Sequence, residues 1–330
     1  MAVVRARLHR CVLSLRAAGQ SAELIFYNLE YEMTRTIFFR SLLLCAVLSA
    51  CAAAVQAGET LDKLRQSSTV VLGVRESSIP FSYTDAQQNT VGYAQTLAEQ
   101  VVARLRTELG VPNLKVKLIP ITSQNRIPLL LNGTIDLDCG STSHTFARES
   151  QVAFSDSFFV YGVKMLVKRD SGIKDFDDLK QKVVTSTAGT SAEREIRKLN
   201  ESKKMDMQVI STKDHSEAFL DLETGRAAAF VMDEPLLFGE RAKAHNPDDY
   251  VVVGTPLFKE NYACMFRRGN ADFKALIDGV IAHAQTDGTA AKLYEQWFTR
   301  PIAPKGMNLR YPMSDEMREL FRHPSDQALD

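Results

Sequence analysis

The 330-residue sequence has no excess of either charge: 40 Lys and Arg stand against 40 Asp and Glu. A basic face for nucleic acid is therefore not on offer. No apolar run beyond Gly58 approaches the ~20 residues that a membrane-spanning helix needs. Cysteine is scarce too, with only Cys139 and Cys264 lying beyond residue 57. His, Cys and acidic residues do not recur at metal-ligand spacing, and there is neither a glycine-rich phosphate loop nor a Ser/His/Asp arrangement. These absences leave no cofactor or metal to expect and little catalytic machinery. The 45% hydrophobic and 24% charged content is that of an ordinary globular protein of one or two domains.

What is present first is an address. Residues 33 to 57 place Arg35 and Arg40 ahead of a short apolar run, then small residues and an Ala-x-Ala-like end at Val55-Gln56-Ala57. This is the pattern of a secretory signal peptide. Residues 1 to 32 carry no such pattern and are expected to be an upstream extension from a mis-called start, Met33 being the start the signal implies. Leu48-Ser49-Ala50-Cys51 offers an alternative processing site, the lipobox at which a lipoprotein is cut and acylated. Residues 1 to 57 hold six Arg and three Glu, so the mature chain would carry 34 basic and 37 acidic residues, a net charge of −3. Export to an oxidising compartment would permit Cys139 and Cys264 to pair, although two buried thiols fit the sequence equally well.

Beyond residue 58, short apolar runs alternate with amphipathic stretches, which predicts an α/β fold with largely parallel strands. Strands are expected at 69–74, 115–120 and 135–139, with helices at 95–109 and near 125–132. The pattern then restarts, with strands at 182–186, 208–211 and 227–232 and helices near 191–199 and 216–224. Two stretches, 127–140 and 219–233, each read as an apolar helix, a Gly at the C′ position and a buried strand, so the two halves look similarly built. Two alternating segments, Tyr161 to Lys168 and Tyr262 to Arg268, read as strands crossing between the halves. Lobe 1 would then comprise 58–163 and 265–330, and lobe 2 would comprise 164–264. Helices at 271–286 and 290–299 would pack on lobe 1.

In open α/β sheets ligands bind beyond the carboxyl ends of the strands. Those ends here carry Arg75, then Ser123 and Arg126, then Ser141, Thr142 and Ser143 with Arg148 close behind. The second half supplies Thr190 and Ser191 at a helix start, then His215, then Asp233. Each has a bland reading: a strand-end Arg usually pairs within its own lobe, Gly189-Thr190-Ser191 is a common helix start, His215 suits an exposed cap, and Asp233 could cap the helix at Pro235. Three arginines together, however, repel one another unless an anion joins them, and guanidinium forks and helix N-termini both bind carboxylates. With Asp233 for a cation, the set suits a small ligand with two carboxylates and one ammonium.

From about Thr60 onward the sequence resembles the periplasmic glutamate/aspartate-binding proteins of bacterial ABC importers, within the polar amino-acid solute-binding family. The resemblance lies in Gly73 to Ser78 with Pro80-Phe81-Ser82, the run LIPITSQNRIPLLLNGTIDLDCGST over Leu118 to Thr142, FSDSFF at Phe154, KDH at Lys213 and SDEM at Ser314. It implies the type II two-lobed periplasmic binding protein fold, with two hinge strands joining the lobes. It also implies that Arg75, Ser123 and Arg126 grip the ligand's side-chain carboxylate, that Arg148, Ser141 and the Thr190-Ser191 helix start take the α-carboxylate, and that Asp233 takes the ammonium. His215 would close over the side-chain end from lobe 2. The family often has Thr where Ser143 and Ser191 stand; Ser keeps the hydroxyl and lacks the methyl. The implied partners are L-glutamate or L-aspartate and the permease and ATPase subunits of an importer, with the binding protein a monomer.

Two rivals share this scaffold. A dehydratase-like enzyme would need a general acid or base in the cleft, for which only His215 and Asp233 are candidates. A sensor-type binding protein would use the same pocket and dock on a separate receptor.

Overall fold

The computed structural model describes residues 59–329. The expected extension, signal segment and Cys51 motif lie outside those residues. Among the described residues no helix is long and apolar enough to cross a membrane.

The chain opens with α1 (Glu59–Ser67), β1 (Thr69–Val74) and a small antiparallel sheet of β2 (Ser77–Ser78), β3 (Ser82–Thr84) and β4 (Thr90–Val91). Helix α2 (Tyr93–Leu109) follows, turning Leu97, Val101 and Leu105 to the core at i, i+4 spacing. Then come β5 (Lys115–Pro120), α3 (Arg126–Leu131), β6 (Leu137–Asp138) and the single turn α4 (Phe146–Glu149). Strand β1 pairs in parallel with β5 on one side and β6 on the other, so the ends of all three strands face one way.

Strand β7 (Ala153–Lys168) leaves this lobe and enters the next. The second lobe contains β8 (Val183–Thr187), α5 (Ser191–Lys203), β9 (Gln208–Thr212), α6 (His215–Glu223), β10 (Ala229–Asp233), α7 (Glu234–Lys243) and β11 (Tyr250–Val253). Here β9, β8 and β10 run parallel, while β10 and β11 flank the second half of β7 antiparallel. The chain returns through β12 (Lys259–Phe266), α8 (Ala271–Thr286), α9 (Thr289–Tyr294) and α10 (Asp315–Arg322). A turn of π-helix, Glu295–Thr299, extends α9. Gly133 and Gly225 follow α3 and α6 with φ of 78° and 75°, the left-handed turn that ends a helix and that a Cβ would oppose.

The two halves of β7 belong to different sheets. Residues Ala153 to Gly162 pair with β12, and Val163 to Val167 pair with β10. Strand β12 joins the first half of β7 from its first residue, Lys259 pairing with Gly162. The crossing strand itself starts at Ala153 rather than Tyr161, eight residues earlier. A cluster of rings, Phe81, Phe159, Phe298 and Tyr294, packs edge-on and stacked beneath Tyr262.

Candidate ligand-binding site

Arg75 follows β1, Arg126 opens α3 and Arg148 lies in α4; all three side chains are buried. They converge on one loop. Arg75 Nη1 donates to Ser141 Oγ at 3.3 Å, and Arg126 Nη1 donates to the Ser141 carbonyl at 2.9 Å and to Thr142 Oγ1 at 2.7 Å. Arg148 Nη1 donates to the Ser143 carbonyl at 2.8 Å. Ser141 Oγ in turn donates to Ser78 Oγ at 3.1 Å, while the buried Ser123 Oγ has no hydrogen-bond partner in the protein.

The loop owes its position to β12. Ala263 N donates to the Thr142 carbonyl, His144 N donates to the Asn261 carbonyl, and a disulfide joins Cys139 to Cys264 at the loop's base. These ties fix the carbonyls that the guanidiniums address.

Burial lowers the pKa of each guanidinium, and the neighbouring Arg75 lowers Arg126 further. Arg148 is brought down to about 10 by burial and by Arg126. Guanidinium groups are not deprotonated in proteins, so this wall is positive. Asp138 lies behind it, accepting from Thr142 Oγ1 at 2.6 Å; burial raises its pKa and Arg126 opposes the rise.

The opposite wall comes from the second lobe. His215, at the start of α6, is buried rather than an exposed cap. Its Nε2 lies 3.5 Å from Arg75 Nη2, and its Nδ1 lies 2.8 Å from Thr187 Oγ1. A guanidinium can only donate, so Nε2 accepts and Nδ1 carries the proton. Burial and then Arg75 push this imidazole well below the usual histidine range, which keeps it neutral. Thr190 caps α5, its Oγ1 accepting from Glu193 N and donating to the Thr187 carbonyl, so this hydroxyl is spent on the helix start. Ser191 Oγ lies 3.3 Å from Ser143 Oγ across the cleft.

Asp233 occupies the N-cap position of α7 without making a side-chain cap bond. It accepts instead from Tyr262 Oη through Oδ2, leaving Oδ1 buried and without a partner. Burial, and next the Glu260 carboxylate, raise Asp233 to about 7. The lobes meet closely around this site. A Cβ on Gly239 of α7 would lie 2.3 Å from the Ile79 carbonyl oxygen, so only glycine fits there.

All eleven residues singled out from sequence are buried: Arg75, Ser123, Arg126, Ser141, Thr142, Ser143, Arg148, Thr190, Ser191, His215 and Asp233. Sequence reasoning missed Ser78, Asp138, Tyr161, Glu260 and Tyr262. Of these, Glu260 and Tyr262 stand two apart on β12 and so share a face.

Two α/β lobes joined through a shared strand, with buried arginines on one and a buried carboxyl group on the other, define an amino-acid-type solute-binding protein of the type II fold. The chain belongs to the bacterial extracellular solute-binding proteins, family 3, whose model matches residues 70–300. It is 52% identical over 277 residues to the glutamate/aspartate import solute-binding protein of Escherichia coli, covering 84% of this chain and 92% of that one. It is 48% identical over 287 residues to the L-glutamate/L-aspartate-binding protein of Pseudomonas aeruginosa, covering 87% and 95%. Among solved structures, holo ArgBP from T. maritima superposes with a TM-score of 0.61 at 28% identity, covering 72% of this chain and 98% of that one.

Proposed function

We propose that the chain captures L-glutamate or L-aspartate in the periplasm and delivers it, as a monomer, to the permease and ATPase of an ABC importer. The observation that carries the reading is the convergence of Arg75, Arg126 and Arg148 on Ser141–Ser143, facing the bare oxygen of Asp233. Two carboxylates and one ammonium on a small molecule complement that set.

In this reading Arg75, Ser123 and Arg126 hold the side-chain carboxylate, and Ser123 Oγ finds there the partner it lacks in the protein. Arg148, Ser141, Ser143 and the backbone at Thr190 and Ser191 hold the α-carboxylate. Asp233 holds the ammonium, and neutral His215 closes over the side-chain end. Lobe 1 presents the arginines first; rotation about β7 and the return segment then brings up the second wall. Closure is favoured only by the ligand's extra affinity for the closed form, and the contacts of lobe 2 supply that difference. Glutamine is rejected because a neutral amide leaves buried guanidiniums uncompensated.

The relatives are named for solute binding, and the dehydratase-like alternative gains nothing from the site: its two candidate groups are held by Thr187, Arg75 and Tyr262. The signal peptide and export remain part of the proposal, supported by the family's extracellular character. A calorimetric panel of the common amino acids on the mature chain tests the whole reading. Tight binding of L-glutamate or L-aspartate with none of L-glutamine is expected; binding of a neutral or basic amino acid in their place would overturn it.

A further inference from the structure

Glu260 is fully buried, and neither the sequence pattern nor the family resemblance gives it a role. Its placement follows from strand register. On β7, Tyr161 and Val163 are two apart and share a face. Glu260 pairs with Tyr161 from β12 on one side of β7, and Asp233 pairs with Val163 from β10 on the other. Directly paired residues point the same way, so two carboxylates flank one strand on one face.

Each carboxylate is held by one oxygen and bare at the other. Tyr262 Oη donates to Asp233 Oδ2; Tyr161 Oη at 2.8 Å and Ser191 Oγ at 2.6 Å both donate to Glu260 Oε2. The two phenol rings lie against each other with centroids 4.3 Å apart. Asp233 Oδ1 and Glu260 Oε1 are buried and have no partner in the protein. Two bare carboxyl oxygens on one face of the crossing strand call for a ligand group with several N–H donors, and a buried carboxyl oxygen left unpaired is costly.

We propose that Glu260 is a second contact for the ligand's ammonium group, completing with Asp233 a two-carboxylate cradle. The proposal rests on the reading that an acidic amino acid is bound with its ammonium at Asp233. The influence of Glu260 on Asp233, the second-largest cause of that residue's raised pKa, agrees with their proximity. Ser191 reaches Glu260 from α5 of the second lobe, so the cradle is complete only when the lobes meet.

The test compares L-glutamate with glutarate, the same dicarboxylate without the ammonium. Dissociation constants are measured for wild type, Glu260→Gln and Asp233→Asn by calorimetry, with glutarate read by displacement of L-glutamate. The glutamine variant keeps an acceptor for Tyr161 and Ser191. Glu260→Gln is expected to weaken L-glutamate about ten- to a hundredfold while glutarate is unchanged or tighter, the pattern also expected of Asp233→Asn. Should the glutamine variant not fold, Glu260→Asp withdraws the carboxylate by one methylene and gives the same ligand-selective loss. Equal weakening of both ligands would make Glu260 a structural tie between Tyr161 and Ser191 and overturn the proposal, as would unchanged L-glutamate affinity. Failure of the wild type to bind L-glutamate or L-aspartate at all is a different result, and it removes the function proposed above.

Discussion

Arg126 and Asp138 are joined through a single hydroxyl: Arg126 Nη1 donates to Thr142 Oγ1, which donates to Asp138 Oδ2. The arrangement gives the guanidinium a fixed direction and only an indirect counter-charge, so its positive field remains available to a ligand. Its Nε is buried without a partner. Removing the group should remove a charge-assisted contact worth roughly 1.5–3 kcal/mol. Arg126→Ala is therefore expected to weaken L-glutamate binding by at least one to two powers of ten in calorimetry, with the far-ultraviolet circular dichroism unchanged.

Gly239 makes the meeting of the lobes separable from their stability. It sits inside α7, where alanine is the better helix former by roughly 1 kcal/mol, yet a Cβ would strike the Ile79 backbone of the first lobe. Gly239→Ala should hold or raise the thermal midpoint without ligand and weaken ligand binding. Small-angle scattering at saturating ligand should show a larger radius of gyration than wild type.

Asp233 predicts a pH dependence. Burial and Glu260 raise its pKa to about 7. An unfolded aspartate titrates near ~3.9, so between those values the folded protein holds a proton that the unfolded chain has released. Its contribution to stability is fully present below about pH 4 and is lost as the pH rises through about 7. Ligand-free Asp233→Asn, which cannot titrate, should lose less of its thermal midpoint over that interval than wild type. Parallel curves for the two proteins would contradict the assignment.

The Cys139–Cys264 disulfide closes a separation of 125 residues, a length for which a cross-link contributes roughly 2–5 kcal/mol. The double variant Cys139→Ala/Cys264→Ala should unfold at lower denaturant by a corresponding amount. Because the bond sits at the base of the Ser141–Ser143 loop, its ligand affinity should fall as well, which a distant staple would not cause.

The sequence made plain what hydrophobic pattern can carry. β1 and β5 have the bounds read from their apolar runs, and the polar residues singled out beyond them are buried. The first half of β7 was illegible because Ser155, Asp156 and Ser157 look like a loop. The two serines are satisfied inside: Cys264 N donates to Ser155 Oγ and Asn261 Nδ2 donates to Ser157 Oγ. Lys259-Glu260-Asn261 reads as a charged turn for the same reason, yet Glu260 and Asn261 are buried. The small sheet escaped notice because strands of two or three residues are too short to show alternation.

One consequence of β7 serving both sheets concerns parity. Glu260 and Asp233 look into the same space only because Tyr161 and Val163 are an even number of residues apart. Deleting Gly162, or duplicating it, would turn one lobe's functional face away from the other's while leaving each lobe's own core intact. Length changes at this crossing in natural or engineered chains should therefore come in twos.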